Sequence, residues 1–179
     1  ITSVTSSYPH AKTQRQVMKC RLPPGFRNTR PVVRVVAPCG SLRGHEERVK
    51  AGIHSLVNGG FEVRFEETLL TRESRGYLCG SDEERGAELL ASLVEPDVDV
   101  VWCARGGSGA ARLLGHLRTC LDSIPPRWLV GFSDVTSILN LLSIEYEWVT
   151  IHGPTVSLLG DNPSHIDRFR KLINRLSGR

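Results

Sequence analysis

The chain has 179 residues, of which 40% are hydrophobic and 23% charged, a composition that suits one globular domain. No apolar run approaches the ~18–20 residues that a membrane-spanning helix needs, and no apolar signal segment lies near the start, so we expect a cytoplasmic protein with no membrane partner. The formal net charge is +4, but residues 1–30 contain six basic and no acidic residues, so residues 31–179 carry a net charge of about −2. This distribution predicts no nucleic-acid-binding face on the folded part.

Residues 1–30 mix Ser, Thr, Gln, Pro and basic side chains without a hydrophobic period, which predicts a disordered basic tail. An acid-free start that contains Arg and Ser also resembles a transit peptide. The alternative is that the natural chain starts elsewhere, and Met18, the only methionine, is then a candidate start.

The five cysteines are scattered along the chain and form no Cys-x-x-Cys pair. Zinc sites usually contain closely spaced cysteines, and disulfide frameworks usually contain an even number of them. We therefore expect reduced thiols and no metal site.

From residue 31 onward, strand-like and helix-like segments alternate. Short β-branched or apolar runs that end at Gly or Pro predict strands, and apolar residues at helical spacing predict helices. One helix start is marked by Ser81-Asp82-Glu83-Glu84, a capping box in which the serine and a glutamate satisfy helix N–H groups. The predicted strands are 32–37, 61–65, 98–104, 128–132 and 148–151, and the predicted helices are 43–58, 82–94, 110–117, 134–146 and 164–176.

This alternation predicts an α/β fold with a mostly parallel sheet flanked by helices. Ligands in such folds bind at the carboxyl ends of the strands. The loops after Ala37, Ala104 and Phe132 should therefore share one rim of the sheet, and they contain the least ordinary residues of the chain.

Gly131-Phe132-Ser133-Asp134 lies between a predicted strand and a predicted helix, the setting of a nucleophile elbow. The N–H of Asp134, at the positive helix end, would point toward a developing oxyanion. Because Val135 replaces the second glycine of Gly-x-Ser-x-Gly, the alternative that Ser133 is an ordinary helix N-cap stays open on spacing alone.

Gly106-Gly107-Ser108-Gly109 follows another predicted strand. It lacks the third glycine of a dinucleotide fingerprint, so a nucleotide cofactor is not predicted. A backbone N–H of this loop could serve as the second oxyanion donor, while the alternative is a tight connection without a ligand.

Five segments follow one another along the chain: Val35-Val36-Ala37-Pro38, residues 76–85 (GYLCGSDEER), residues 101–107 (VWCARGG), residues 131–136 (GFSDVT) and His152-Gly153-Pro154. In their order and spacing they resemble the LD-carboxypeptidase family, the serine peptidases that include muramoyltetrapeptide carboxypeptidase and the microcin C immunity peptidases. The resemblance covers about residues 31–178 and favours the nucleophile role of Ser133 over the N-cap role.

The resemblance implies a flavodoxin-like or class I glutamine amidotransferase-like three-layer domain and a Ser-Glu-His triad with Ser133 as nucleophile. It also implies oxyanion N–H donors at Asp134 and Gly107, and no metal or organic cofactor. The substrate-binding candidates in the glycine loop are Arg105, Gly106 and Ser108, where Ser108 replaces the aromatic residue that the family often has.

The implied activity removes a terminal D-amino acid from the murein tetrapeptide during peptidoglycan recycling. A microcin C-type peptide–nucleotide substrate and a catalytically dead domain that binds peptidoglycan fragments are the alternatives. The family's Glu and His belong to a C-terminal domain that residues 31–179 do not include, so we expect this chain alone to be nearly inactive.

His152 lies at a predicted strand end on the same rim, which makes it a candidate general base, but the alternative of a hydrogen-bonded structural role is favoured over it. His45, His54, His116 and His165 are predicted to be surface residues. Whether the chain forms a homodimer stays open.

Overall fold

The fold is built on a five-stranded parallel sheet, seen in a computed structural model that describes residues 19–162 and 164–178. The strands lie in the order β2-β1-β3-β4-β5, and each is parallel to its neighbours. They are β1 (Val32–Val36), β2 (Glu62–Arg64), β3 (Val100–Cys103), β4 (Trp128–Gly131) and β5 (Ile151–His152). The helices are α1 (Glu46–Asn58), α2 (Asp82–Val94), α3 (Leu114–Arg118), α4 (Thr136–Glu145), α5 (Val156–Leu159) and α6 (Ser164–Leu176).

Helices cover both faces of the sheet. Because successive strand residues point to opposite faces, Val33 and Val35 of β1 pack in one core with α1, α5 and α6. Val32 and Val36 of the same strand pack in a second core with α2, α3 and α4. The predicted three-layer α/β fold with a parallel sheet is confirmed.

The strand order contains a switch point beside β1. The chain passes from β1 to β2 through α1 on one face, then reaches β3 on the other side of β1 through α2 on the opposite face. This is the flavodoxin-like order, in which the loops after β1 and β3 diverge and leave a crevice at the carboxyl ends of the strands. The carboxyl end of β4, which precedes Ser133, lies beside this crevice.

Part of the predicted disordered tail packs on the domain instead. Phe26 is buried in the first core, and the indole N–H of Trp128 donates to the Pro24 carbonyl at 2.8 Å. The Arg21 N–H donates to the Glu147 carbonyl at 2.6 Å. The prediction is therefore wrong for residues 19–30, because one buried aromatic and a few backbone hydrogen bonds leave no periodic signal. Residues 1–18, including Met18, lie outside the described residues.

Most element boundaries agree with the predictions to within a few residues. The capping box is confirmed, because Ser81 Oγ accepts from the Glu84 N–H at 3.1 Å and the Glu84 carboxylate accepts from the Ser81 N–H at 2.6 Å. The short helix α5 was not predicted, and the last strand lies three residues later than expected. Within residues 19–162 and 164–178, no helix has the length and apolarity to cross a membrane.

Candidate active site

Ser133 occupies a strained turn at the end of β4. Its φ is +62°, in the left-handed region that costs a non-glycine residue about 1–2 kcal/mol. It begins a short 3₁₀ turn (Ser133–Val135) that leads into α4, and its side chain is exposed at the rim. The hydroxyl makes no hydrogen bond to any described residue, so the N-cap alternative is not observed. The predicted elbow conformation of Ser133 is confirmed.

Gly131 gives this turn the space it needs. A side-chain carbon at Gly131 would lie 2.7 Å from Val135 Cγ1, closer than such atoms normally approach. Val135 is fully buried in the second core. The second glycine of the general elbow motif can therefore be a valine here, because the first position carries no side chain.

The glycine loop after β3 packs directly on the serine. A side-chain carbon at Gly106 would lie 2.9 Å from Ser133 Cβ and 3.2 Å from its Oγ. The Gly106 carbonyl accepts from the Gly40 N–H at 3.1 Å, which ties this loop to the one after β1. Gly107 has a φ of +119° and is exposed, and its N–H donates to no described residue. The structure thus brings Ser133 and Gly107 to one rim, as predicted.

Asp134 links the serine turn to the glycine loop through its side chain. Its carboxylate accepts from the Ala110 N–H at 2.8 Å. Its own backbone N–H lies in the first turn of a helical segment, where N–H groups lack helical partners. The two segments with candidate oxyanion donors are therefore held together by one side chain.

The buried cysteine beside this site is not a competing nucleophile. Burial raises the pKa of the Cys39 thiol far above its usual range, and Cys103 and Asp134 raise it further. A thiol that stays protonated is unreactive. Among the described residues, no group of His, Cys, Asp or Glu is arranged to hold a metal ion.

A buried arginine connects the two loops of the crevice. Arg85 of α2 is fully buried, and its Nη1 donates to the Pro38 carbonyl and, at 3.1 Å, to the Gly109 carbonyl. Its Nη2 pairs with Asp82, which also pairs with Arg112 at 2.6 Å. No role was predicted for Arg85 from the sequence.

A sequence signal for this arginine did exist. Arg85 lies four and eight residues before Leu89 and Leu93, two buried leucines of α2. Residues at this spacing share one helix face. A charged residue on an otherwise apolar buried face needs hydrogen-bond partners. Here the partners include the carbonyls of Pro38 and Gly109 in the two loops of the crevice.

A cavity of about 190 Å³ lies next to Ser133. Gly106, Gly107 and Ser133 line one part of it, while Arg105 and the polar side chains of Thr155 and Ser157 line others. Two of the substrate-binding candidates, Arg105 and Gly106, therefore face this space. Ser108 is exposed and is not among its lining residues.

His45 and Arg48 also line this cavity, which corrects the prediction that His45 is an ordinary surface residue. The predicted helix included His45, but α1 begins at Glu46, so the imidazole belongs to the rim loop and is half-buried. Burial lowers the pKa of His45, and the positive charges of Arg105 and Arg48 lower it further. These effects favour the neutral form of the His45 imidazole.

His152 lies on the same rim but outside this cavity. Its exposed ring packs edge-on against Phe132, with ring centroids 6.2 Å apart. Both residues line a neighbouring cavity of about 260 Å³. No hydrogen bond joins Ser133 to His152 or to His45, so neither is positioned as its base in this structure.

The chain is similar in sequence to known proteins. A family model described as the LD-carboxypeptidase N-terminal domain matches residues 33–153. A carboxypeptidase-named protein of Synechocystis is 39% identical over 150 residues, covering 83% of this chain and 46% of the relative. The murein tetrapeptide carboxypeptidase of Pseudomonas aeruginosa is 39% identical over 88 residues, covering 49% of this chain and 28% of the relative.

Solved structures share the fold. The microcin C7 self-immunity protein MccF, in complex with aspartyl sulfamoyl adenosine, aligns with a TM-score of 0.74 at 21% identity. The alignment covers 85% of this chain and 46% of that protein. The chain spans about half the length of the first curated relatives and of the solved structures that it matches. The chain belongs to the LD-carboxypeptidase family, and residues 33–153 correspond to its N-terminal domain.

Proposed function

We propose that this chain is the nucleophile-bearing domain of a serine LD-carboxypeptidase that removes the terminal D-amino acid from murein tetrapeptide in the cytoplasm. The observation that carries the proposal is Ser133, an exposed serine held at a φ of +62° at the end of β4 with Gly106 packed against it. The name of the P. aeruginosa relative supports the substrate class.

In the proposed reaction, Ser133 Oγ attacks the carbonyl carbon of the peptide bond before the D-amino acid. The oxyanion that forms accepts hydrogen bonds from the backbone N–H groups of Gly107 and Asp134. Collapse breaks the C–N bond and releases the D-amino acid, whose nitrogen takes up a proton. Water then hydrolyses the acyl-serine and restores the hydroxyl.

This reaction needs a group that removes the Ser133 proton, since an unassisted hydroxyl is a weak nucleophile at neutral pH. The resemblance implies that a Glu and a His from a C-terminal domain complete the triad. In the described residues, Ser133 Oγ has no hydrogen-bond partner. Only trace activity is therefore expected of this chain alone.

The test follows D-alanine release from murein tetrapeptide. We expect release when the chain is fused to the C-terminal half of the Synechocystis relative, and only trace release from the chain alone. The same peptide ending in L-alanine serves as the control and should remain intact. Tight binding of murein peptide without release by the fusion would instead indicate a catalytically dead binding domain, and preferential cleavage of a peptide–nucleotide would indicate a microcin C-type peptidase.

A further inference from the structure

The cavity beside Ser133 is positively charged. Arg105 and Arg48 line it, and none of the described residues that line it is an Asp or Glu. Burial lowers the pKa of His45 first, and the charges of Arg105 and Arg48 then lower it further against the opposing charge of Glu46. An anion is the ligand class that such a cavity favours.

Arg105 is the arginine best placed to bind that anion. It is half-buried, and its Nη1 donates to the Ser41 carbonyl at 3.0 Å. The same atom lies 3.3 Å from where a side chain would begin at Gly107. The guanidinium is thus fixed by one hydrogen bond beside the glycine loop.

Within the described part of the chain, no carboxylate lies within ion-pair distance of Arg105. Two other arginines near the crevice are paired: Arg72 with Glu88, and Arg85 with Asp82. Arg48 pairs with Asp161 at 2.7 Å, but both side chains are more than half exposed. The remaining N–H groups of Arg105 are therefore available to a ligand.

We propose that Arg105, assisted by Arg48 and His45, binds the free α-carboxylate of the residue that the enzyme removes. This inference rests on the proposed function. In a peptide bound at Ser133, that carboxylate is joined to the scissile nitrogen through a single Cα, so it must lie close to the serine. A planar guanidinium matches a carboxylate with two parallel hydrogen bonds. The subsite would select chain ends over internal peptide bonds.

The experiment measures binding without turnover. The chain is titrated with N-acetyl-D-alanine and, separately, with N-acetyl-D-alanine amide at physiological ionic strength, and the backbone amide resonances of Gly106, Gly107 and Ser133 are followed by NMR. The two probes differ in the charge of one group. We expect the acid to shift these resonances and to bind at least about tenfold more tightly than the amide.

Arg105→Gln should reduce the affinity for the acid to that for the amide. Arg105→Lys should restore part of the preference, because it keeps the charge but not the planar fork. Arg43→Gln is the matched control: Arg43 is an exposed arginine near the same rim and is paired with Glu73, so its loss should leave the preference unchanged.

Equal affinities for acid and amide in the unaltered chain would overturn the proposal, whether or not any variant folds. A preference that survives Arg105→Gln would also overturn it. Tighter, Arg105-dependent binding of adenosine monophosphate than of the acid would assign the subsite to phosphate instead. If the chain prefers the acid but the fusion never releases D-alanine, the carboxylate subsite stands and the peptidase proposal is contradicted. If the fusion releases D-alanine but the chain shows no preference for the acid, only the subsite proposal is contradicted.

Discussion

At the scale of single residues, the site depends on positions that carry no side chain. Gly131 accommodates Val135, and Gly106 accommodates Ser133 itself. The positive φ of Ser133 persists because these neighbours and the buried Val135 hold the turn in place. The side-chain volumes around the turn therefore set where the hydroxyl lies.

The pairing of Gly131 with Val135 predicts a specific non-additivity in unfolding free energy. Gly131→Ala should destabilise the chain by about 1–3 kcal/mol through overpacking. Val135→Ala should cost a similar ~1–3 kcal/mol by leaving a cavity. Because the second change removes the two Val135 methyl groups that the first one meets, the double variant should be less destabilised than the sum by about 1 kcal/mol.

Urea unfolding of the four proteins measures this coupling. Gly115→Ala is the control, because a side chain there meets no atom within 4 Å. Gly115 lies inside α3, so alanine should stabilise that helix by about 0.5–1 kcal/mol. Additive effects at Gly131 and Val135 would show that the two positions do not share the space described above.

At the scale of elements, the buried Arg85 joins the loops of the crevice. Arg85 of α2 donates to the carbonyls of Pro38 and Gly109, and it pairs with Asp82 at the start of the same helix. These loops follow β1 and β3, the strands at the switch point. The helix thus fixes the separation of the two loops from within the core.

We predict that Arg85→Lys lowers the free energy of unfolding by about 2–4 kcal/mol, because an ammonium cannot replace every bond of the buried guanidinium. Arg118→Lys, at a pair with Glu145 in which both side chains are over 40% exposed, should cost less than about 1 kcal/mol. Chemical denaturation of both variants makes the comparison. Equal losses would mean that Arg85 stabilises the crevice no more than a surface pair does.

Strand and helix patterns were sufficient to predict the layers and the rim, because β-branched runs and helical spacing report burial directly. The order of the strands and the neighbours of each loop depend on long-range packing, which periodicity does not encode. His45 was misassigned for this reason: a three-residue shift in the start of α1 moved it from a helix surface into the cavity. Phe26 was missed because a lone aromatic has no period.

At the scale of the whole molecule, the fold gathers three separate loops at one end of the sheet. The loops after β1, β3 and β4 bring Gly40, Gly106 and Ser133 into mutual proximity, although more than ninety residues separate the first from the last. This arrangement provides a candidate nucleophile, candidate N–H donors and a cavity lined by two arginines. In the proposed enzyme, the proton acceptor comes from a second domain.

The proposed role of Ser133 as the nucleophile is tested most directly by measuring D-alanine release from murein tetrapeptide by the fused, complete enzyme. Ser133→Ala should lower kcat by about 10⁴–10⁶, the loss that follows removal of a triad serine. Ser123→Ala, at an exposed serine outside the cavity, should leave kcat unchanged. Activity that survives Ser133→Ala would contradict the mechanism. Robust D-alanine release by the 179-residue chain alone would contradict the need for a second domain. His45 and His152 would then be the first candidate bases to replace.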